Sequence, residues 1–260
     1  MPIRFDHKPG LVVYLTAGDP SLDATREIAL AAIDAGADVI ELGVPFSDPL
    51  ADGPIIQRAS ERALAHGTRL RDVLRLAKEI RAASPTAGLV IFSYLNPMLR
   101  YGLARFADDA AAAGVDGMLA TDMIVEEAAE YLSEMSRVNL TPIFLAAPTS
   151  PDERLEAIAK NTKGFVYAIS RVGITGTQQS VAADAKALVE RIRRYTRLPV
   201  AVGFGISNAE HVAQVAEFAD AAVIGSAIVA LVERATAETA PGEVARFIKG
   251  LRLRDAAPAR

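Results

Sequence analysis

VIELGVPFSDPLADGPIIQ, residues 39–57, passes from an apolar, β-rich run directly into a loop dense in proline, aspartate and glycine. Glu41 stands near the end of the apolar run, and Asp52 follows in the loop. Side chains alternate along a strand, so Val39 and Glu41 share one face, and Ile40 and Leu42 the other. A strand end and the loop leaving it are where barrel enzymes place their chemistry. Two carboxylates in unlike surroundings can be tuned apart and divide acid work from base work.

Runs of this kind recur along the chain. Strands are predicted at about 11–16 (LVVYLT), 38–42 (DVIEL), 89–94 (LVIFSY), 116–121 (DGMLAT), 140–146 (LTPIFLA), 164–169 (GFVYAI), 199–203 (LPVAV) and 219–224 (ADAAVI). Their spacing of roughly 25–30 residues suggests repeated βα units. Between them lie Ala/Glu/Arg-rich stretches with apolar residues three and four apart, such as 21–35, 70–83, 125–135 and 184–195. Ser21, Asp152 and Ser207 stand at helix starts as capping residues. The phrases DAGAD (34–38), AAGVDG (112–117) and EFADAA (217–222) each close a helix and open a strand with little loop, and so mark a quiet face. Eight such units predict a closed (β/α)8 TIM barrel. It is expected to be one domain over 1–260, with a short N-terminal segment 1–10 and a polar tail from about 254, and with function at the C-terminal strand ends. A doubly wound open sheet is the main rival, but the glycine-rich motifs come late rather than after the first strand.

Composition narrows the function classes. A chain of 260 residues, 51% of them apolar, can bury a substantial core. Its net charge of −4 comes with dispersed acids, so neither nucleic acid nor a membrane surface is expected as a partner. With no cysteine there is no disulfide framework, thiolate metal site or thiol nucleophile, which fits a reducing, cytoplasmic setting. Residues 1–10 lack the apolar core of a signal peptide, and no uninterrupted apolar run could span a bilayer.

Three glycine-bearing turns look able to grip an anion: RVGITGT (171–177), GFGIS (203–207) and Gly225–Ser226 at a helix start. Glycine lets the main chain approach a ligand and present N–H donors, and a helix start adds the positive end of its dipole. Gly176, Gly205, Gly225 and Ser226 are the candidate phosphate ligands, and no lysine or arginine is required.

Glu41 on an interior face is costly unless partnered or protonated, so its pKa should rise, as suits a group that gives a proton and takes one back. Asp48 reads as a turn former or surface contact. The lysines, at 8, 78, 160, 163, 186 and 249, all lie away from strand C-terminal ends, so no Schiff base is expected. His7, His66 and His211 read as surface residues, and no metal site is expected. What remains is carboxylate proton transfer on a phosphorylated substrate that carries its own electron sink. Tyr14, Phe92 and Tyr94 could wall a flat apolar pocket. Thr16, Asn96, Asp122 and Tyr167 are further rim candidates, Asp19 before Pro20 reads as a turn, and Thr175 lies in a loop able to close over Asp52.

The phrases YLTAGDP (14–20), ADVIELGVPFSDPLADGPIIQ (37–57), SYLNP (93–97), GVDGMLATD (114–122), YAISRVGITGT (167–177), GFGIS (203–207) and GSAIV (225–229) resemble, in order, the tryptophan synthase alpha subunit family. The resemblance implies a (β/α)8 barrel that cleaves indole-3-glycerol phosphate to indole and glyceraldehyde 3-phosphate. It implies Glu41 as the acid at indole C3 and the base at the side-chain hydroxyl, and Asp52 as the group that accepts from the ring N–H. Gly176, Gly205, Gly225 and Ser226 would hold the phosphate, Tyr167 would support the site and Phe92 would line the indole pocket. It further implies an αββα complex with a beta subunit that carries pyridoxal phosphate, no cofactor in this chain, and coupling through the loops around 45–54 and 171–177. Two departures stand out. The first strand comes after only about ten residues, where members commonly carry a helix, so the barrel floor is expected to be less covered. Met123-Ile124-Val125 replaces the usual Leu-Pro-Pro after Asp122. A stand-alone lyase, a barrel isomerase on another phosphorylated metabolite and a non-catalytic activating partner are the alternatives.

Overall fold

The computed structural model describes residues 3–169, 178–203 and 205–252, with the backbone alone for 178–182. Strands β1 (Gly10–Thr16), β2 (Val39–Gly43), β3 (Gly88–Ser93), β4 (Gly117–Ala120), β5 (Thr141–Ile143), β6 (Leu145–Ala146), β7 (Val166–Ile169), β8 (Val200–Gly203) and β9 (Ala221–Ile224) form one parallel sheet. Its order is β5-β4-β3-β2-β1-β9-β8-β7-β6. The two ends of that order, β5 and β6, are separated in the chain by Phe144 alone, so the sheet curls round on itself into a barrel.

The predicted fifth strand, 140–146, is thus two pieces. The first pairs with β4 and the second with β7. Pro142 has no N–H to donate, which weakens the run as one continuous ladder. Lys163 N–H donates to the Pro142 carbonyl and Tyr167 N–H to the Phe144 carbonyl, and these bonds carry the sheet across the seam.

Helices α1 (Leu22–Asp34), α2 (Pro54–Ala65), α3 (Leu70–Ala83), α4 (Leu95–Tyr101), α5 (Leu103–Ala112), α6 (Ala129–Arg137), α7 (Asp152–Asn161), α8 (Gln178–Ile192), α9 (Ala209–Ala216), α10 (Ser226–Arg234) and α11 (Ala240–Arg252) surround it. Ser21 caps α1 by accepting the Ala24 N–H. Asp152 and Ser207 are not the caps expected: Asp152 is already the first residue of α7, paired with Arg191, and Asn208 caps α9. The helix expected over 184–195 starts earlier, at Gln178, and that expected at 125 opens as a short 3-10 turn, Val125–Glu127. No helix among the described residues is long and apolar enough to cross a membrane.

Strand alternation sorts the apolar residues into two layers. Leu11, Val13, Ile40, Leu42, Leu89 and Ile91 face the helices. Val12, Val39, Val90, Leu119, Ile143, Phe165 and Tyr167 fill the cylinder. The short lead-in to β1 itself supplies cover to the floor. Ile3 and Phe5 pack into the inner cluster, and Phe5 meets Phe165 edge-on at 5.7 Å between centroids. Gly10 leaves that ring its room, because a Cβ there would fall 2.2 Å from Phe5.

The quiet face carries a repeated clasp. Asp38, Asp116 and Asp220, each just ahead of its own strand, accept the N–H of Leu11, Leu89 and Val200 at the start of the neighbouring one, at 2.7, 2.9 and 2.8 Å. Arg252, Arg81 and Arg193 pair with these three carboxylates. Arg252 also donates to the carbonyls of Pro9 and Gly36, so the last helix is tied to the first strand. Asp116→Ala removes a strand acceptor and leaves a largely buried guanidinium without its counter-charge. It should lower the unfolding free energy by about 3 kcal/mol, read as a lower urea midpoint at unchanged slope.

Candidate active site

Glu41 lies on β2 in register with Tyr14 of β1 and Val90 of β3. It points into the cylinder, 0% exposed. Neither carboxyl oxygen has a hydrogen-bond partner among the described residues. Burial penalises the charged form and pushes its pKa up to about 8. At neutral pH it therefore holds a proton that a substrate could take.

Asp52 sits above, in the loop leading to α2. Its N–H donates to the Pro49 carbonyl and its own carbonyl accepts from the Gln57 side-chain amide. The Tyr94 hydroxyl accepts the Ala51 N–H at 2.9 Å, which anchors the loop. Partial burial raises the Asp52 pKa to about 6, and a hydrogen bond from Tyr94 holds it down. The two carboxyls are thereby tuned apart: at pH 7 Asp52 is largely charged and Glu41 largely neutral.

A cavity of about 440 Å³ opens at the C-terminal ends of the strands. On one side it is lined by Ala51, Gly53, Pro54, Ile55 and Ile56 around the start of α2. On the other it is lined by Gly203, Gly205, Gly225 and Ser226, with Tyr167, Ile169 and Val223 between. Ser226 begins α10, so the positive end of a helix dipole meets the cavity wall there. Gly205 adopts φ +72°, a left-handed conformation that side chains resist, and nothing occupies the place a Cβ would take.

The candidates do not all reach this cavity. Tyr167, Gly205, Gly225 and Ser226 line it; Gly176 and Thr175 lie outside the described residues. Tyr14 is buried beside Glu41, edge-on to the half-buried Phe92 at 5.1 Å. Tyr94 does not line the cavity; it packs on Phe46 at 5.0 Å and braces the Asp52 loop. Thr16 is buried and donates to Tyr14, Asp122 accepts the Leu95 N–H, and Asn96 lines a separate groove outside the barrel mouth.

Asp19 is more than a turn. It is buried and takes both arms of Arg62 at 2.8 Å. Arg62 and Arg58 of α2 also bind Glu233 of α10. His211 is buried in the first turn of α9, not at the surface, where Asn208 and Ser207 meet its ring. The sequence reading missed Gly43, Ile55, Ile56, Ile169 and Arg62. Gly43 was within reach, since alternation puts it on the face of Glu41.

The strands' closed order and the cavity at their C-terminal ends define the chain as a (β/α)8-barrel enzyme. The family model described as tryptophan synthase alpha chain matches residues 3–256, and the chain belongs to that family, with the alpha subunit's role in tryptophan biosynthesis. The alpha chain of Solibacter usitatus is 51% identical over 242 residues, 93% of this chain and 90% of that one. Among solved structures, the Legionella pneumophila alpha subunit superposes with a TM-score of 0.87 at 35% identity, covering 94% of this chain and 92% of its own. The tryptophan synthase complex of Pyrococcus furiosus gives 0.85 at 39% identity, covering 94% and 98%.

The buried carboxyl has a consequence for stability. Below its ordinary pKa of 4.5, Glu41 is protonated in folded and unfolded chains alike. Between that value and about 8, only the unfolded chain releases the proton, so folding loses stability as pH rises. Above about 8 the penalty is constant. Glu41→Leu should therefore be more stable than the parent at pH 8 by on the order of 4 kcal/mol. The gap should close as pH falls to 4, in urea titrations at each pH.

Proposed function

We propose that this chain cleaves indole-3-glycerol phosphate to indole and glyceraldehyde 3-phosphate with Glu41 as the proton carrier. The lyase activity is that of the family; the residue roles are those the family resemblance implies, and the geometry around Glu41, Asp52 and the cavity glycines supports them. The observation that carries them is a fully buried carboxyl, without a hydrogen-bond partner among the described residues, in the cylinder that bears a glycine-lined cavity at its mouth.

The indole ring is the electron sink. Glu41 gives its proton to ring carbon C3, which makes an indolenine. The resulting carboxylate then takes the proton of the side-chain hydroxyl next to C3. The C–C bond breaks, its electrons return to the ring, and an aldehyde leaves. One proton has entered at C3 and one has left the hydroxyl, so Glu41 ends as it began. Asp52, charged at neutral pH, accepts the ring N–H, which gains acidity as the indolenine forms. Gly205, Gly225 and Ser226, with Gly176, hold the phosphate through main-chain donors and the start of α10. Phe92 and Tyr14 flank the ring, Tyr94 braces the Asp52 loop, Tyr167 supports the floor of the pocket, and Thr175 belongs to the loop that meets Asp52.

The partner is the beta subunit, in an αββα assembly, and pyridoxal phosphate belongs to that subunit. Leu50, at the tip of the loop that carries Asp52, is 97% exposed. Leu99 on α4 and Ile124 after β4 are exposed too. Apolar tips gathered above neighbouring strands suit a docking face. This face runs directly into the catalytic loop, which is how binding there would change Asp52. It also favours the complex over a stand-alone lyase.

Three variants test the reading. Glu41→Gln should abolish indole release while circular dichroism stays native, and Asp52→Asn should lower kcat by about 100-fold. Leu50→Asp should weaken beta-subunit binding by about tenfold or more in titration calorimetry, and with it the activation of cleavage.

A further inference from the structure

We infer that Tyr14 is a positioning residue of the cleavage: its hydroxyl, held over Gly43, is the hydrogen-bond donor that the Glu41 carboxylate takes up once its proton has gone to the substrate. This rests on the acid role proposed for Glu41 and goes beyond it.

Five observations converge. Tyr14 and Glu41 are direct register partners on β1 and β2. The phenol leans across β2 toward the barrel mouth, into space that Gly43 leaves vacant: a Cβ at Gly43 would lie 2.2 Å from the Tyr14 oxygen and 2.5 Å from its ring carbon. Thr16 Oγ1 donates to that oxygen at 3.4 Å, so the phenol acts there as acceptor. Among the described residues no acceptor takes the phenol's own proton, and none of the donors reaches either Glu41 oxygen. Phe92, edge-on, fixes the ring from the β3 side.

The arrangement leaves a spare donor beside a carboxyl that is neutral at rest and becomes charged in the first chemical step. A carboxylate formed in an apolar cylinder without a donor is costly. A donor that the carboxylate can take up as it forms strengthens the acid, because it binds the charged form more strongly than the neutral one. Tyr14 is not itself an acid here. Burial, with the Asp52 and Glu41 carboxyls nearby, raises its pKa far above the working range, so it keeps its proton throughout. The titratable groups around it are Glu41 on β2, Asp52 in the next loop, Tyr94 after β3 and Tyr167 on β7.

The test is Tyr14→Phe in the full chain with its beta subunit, with indole formation followed from pH 6 to 10. Glu41 must begin protonated, so kcat falls as pH rises through its pKa in the substrate complex. A donor to the carboxylate lowers that pKa, and its removal raises it. The expected result is kcat reduced by about tenfold or more, KM changed less than about twofold, and the alkaline limb moved up by about one pH unit. Thr16→Val, which frees the phenol from its anchor, should move the limb the same way by less, and gives a second reading if Tyr14→Phe does not fold. An unmoved limb in either folded variant, even with slower turnover, would overturn the inference and leave Tyr14 a packing residue. Cleavage that survives Glu41→Gln would instead sink the acid role underneath, whatever Tyr14→Phe does.

Discussion

A carboxyl enclosed in an apolar cylinder, with no described partner, keeps its raised pKa only while water is held away from it, and here the closed barrel does that. Here β1 and β3 flank it, with Val90 directly beside it, Val12 and Val39 lie one inward position below, and Ile3 and Phe5 stop the far end. The penalty on the charged form is large against a net folding stability of roughly 5–15 kcal/mol. The fold must offset it elsewhere. The aspartate–arginine clasps on the opposite rim are well placed to do so, since each fixes two neighbouring strands and a helix at once. Stability is concentrated on the quiet face and given up at the mouth.

The cavity's two walls are carried by separate elements, α2 on the Asp52 side and α10 on the glycine side, and these are braced to each other. Arg62 reaches both Asp19 behind β1 and Glu233 on α10. Below that ionic tie, Tyr14, Ala59 and Val229 pack together, with Ile55 and Ile56 against them. The exposed arm of the network, Arg58 with Glu233, is open to salt and contributes little. The buried Asp19 end is different, because a carboxylate there without Arg62 would be stranded. Asp19, taken from sequence for a turn residue, thus helps to brace the Asp52 side of the pocket against the helix start opposite.

The period-two pattern of residues 39–43 was enough to place Glu41 inside, because both neighbours on its face, Val39 and Gly43, suit an interior and nothing competes for that register. Tyr167 and Gly205 were legible for the same reason: strand ends and φ-permissive glycines leave local marks. The break at Phe144 left none. An apolar residue there fits one long strand as well as two short ones, and closing the ring decides between them. His211 was misplaced because a polar residue in a first helical turn looks alike whether it faces solvent or the cap of its own helix. The Arg62 brace joins positions 43 and 171 residues apart, and pairing at that range leaves no signal in one chain. The loop that carries Thr175 and Gly176 lies outside the described residues, so that part of the reading stands on sequence alone.

Where the cavity opens follows from the sizes of the inward residues. On the lower layers the cylinder is filled by Phe165, Leu119, Ile143 and Val90. Toward the mouth the inward positions of β8 and β9 shrink, Ala201 giving way to Gly203 and Val223 to Gly225, while β2 ends on Gly43. Two tyrosines lean into the space these glycines release: a Cβ at Gly203 would sit 3.1 Å from the Tyr167 oxygen, as one at Gly43 would meet Tyr14. Glycine here does two jobs at once. It leaves main chain uncovered on one side of the mouth, and on the other it leaves room for a phenol beside the strand that carries the carboxyl. A larger residue at either place would close the cavity or expel a ring from it, so room for a substrate and order around Glu41 come from the same few absent side chains.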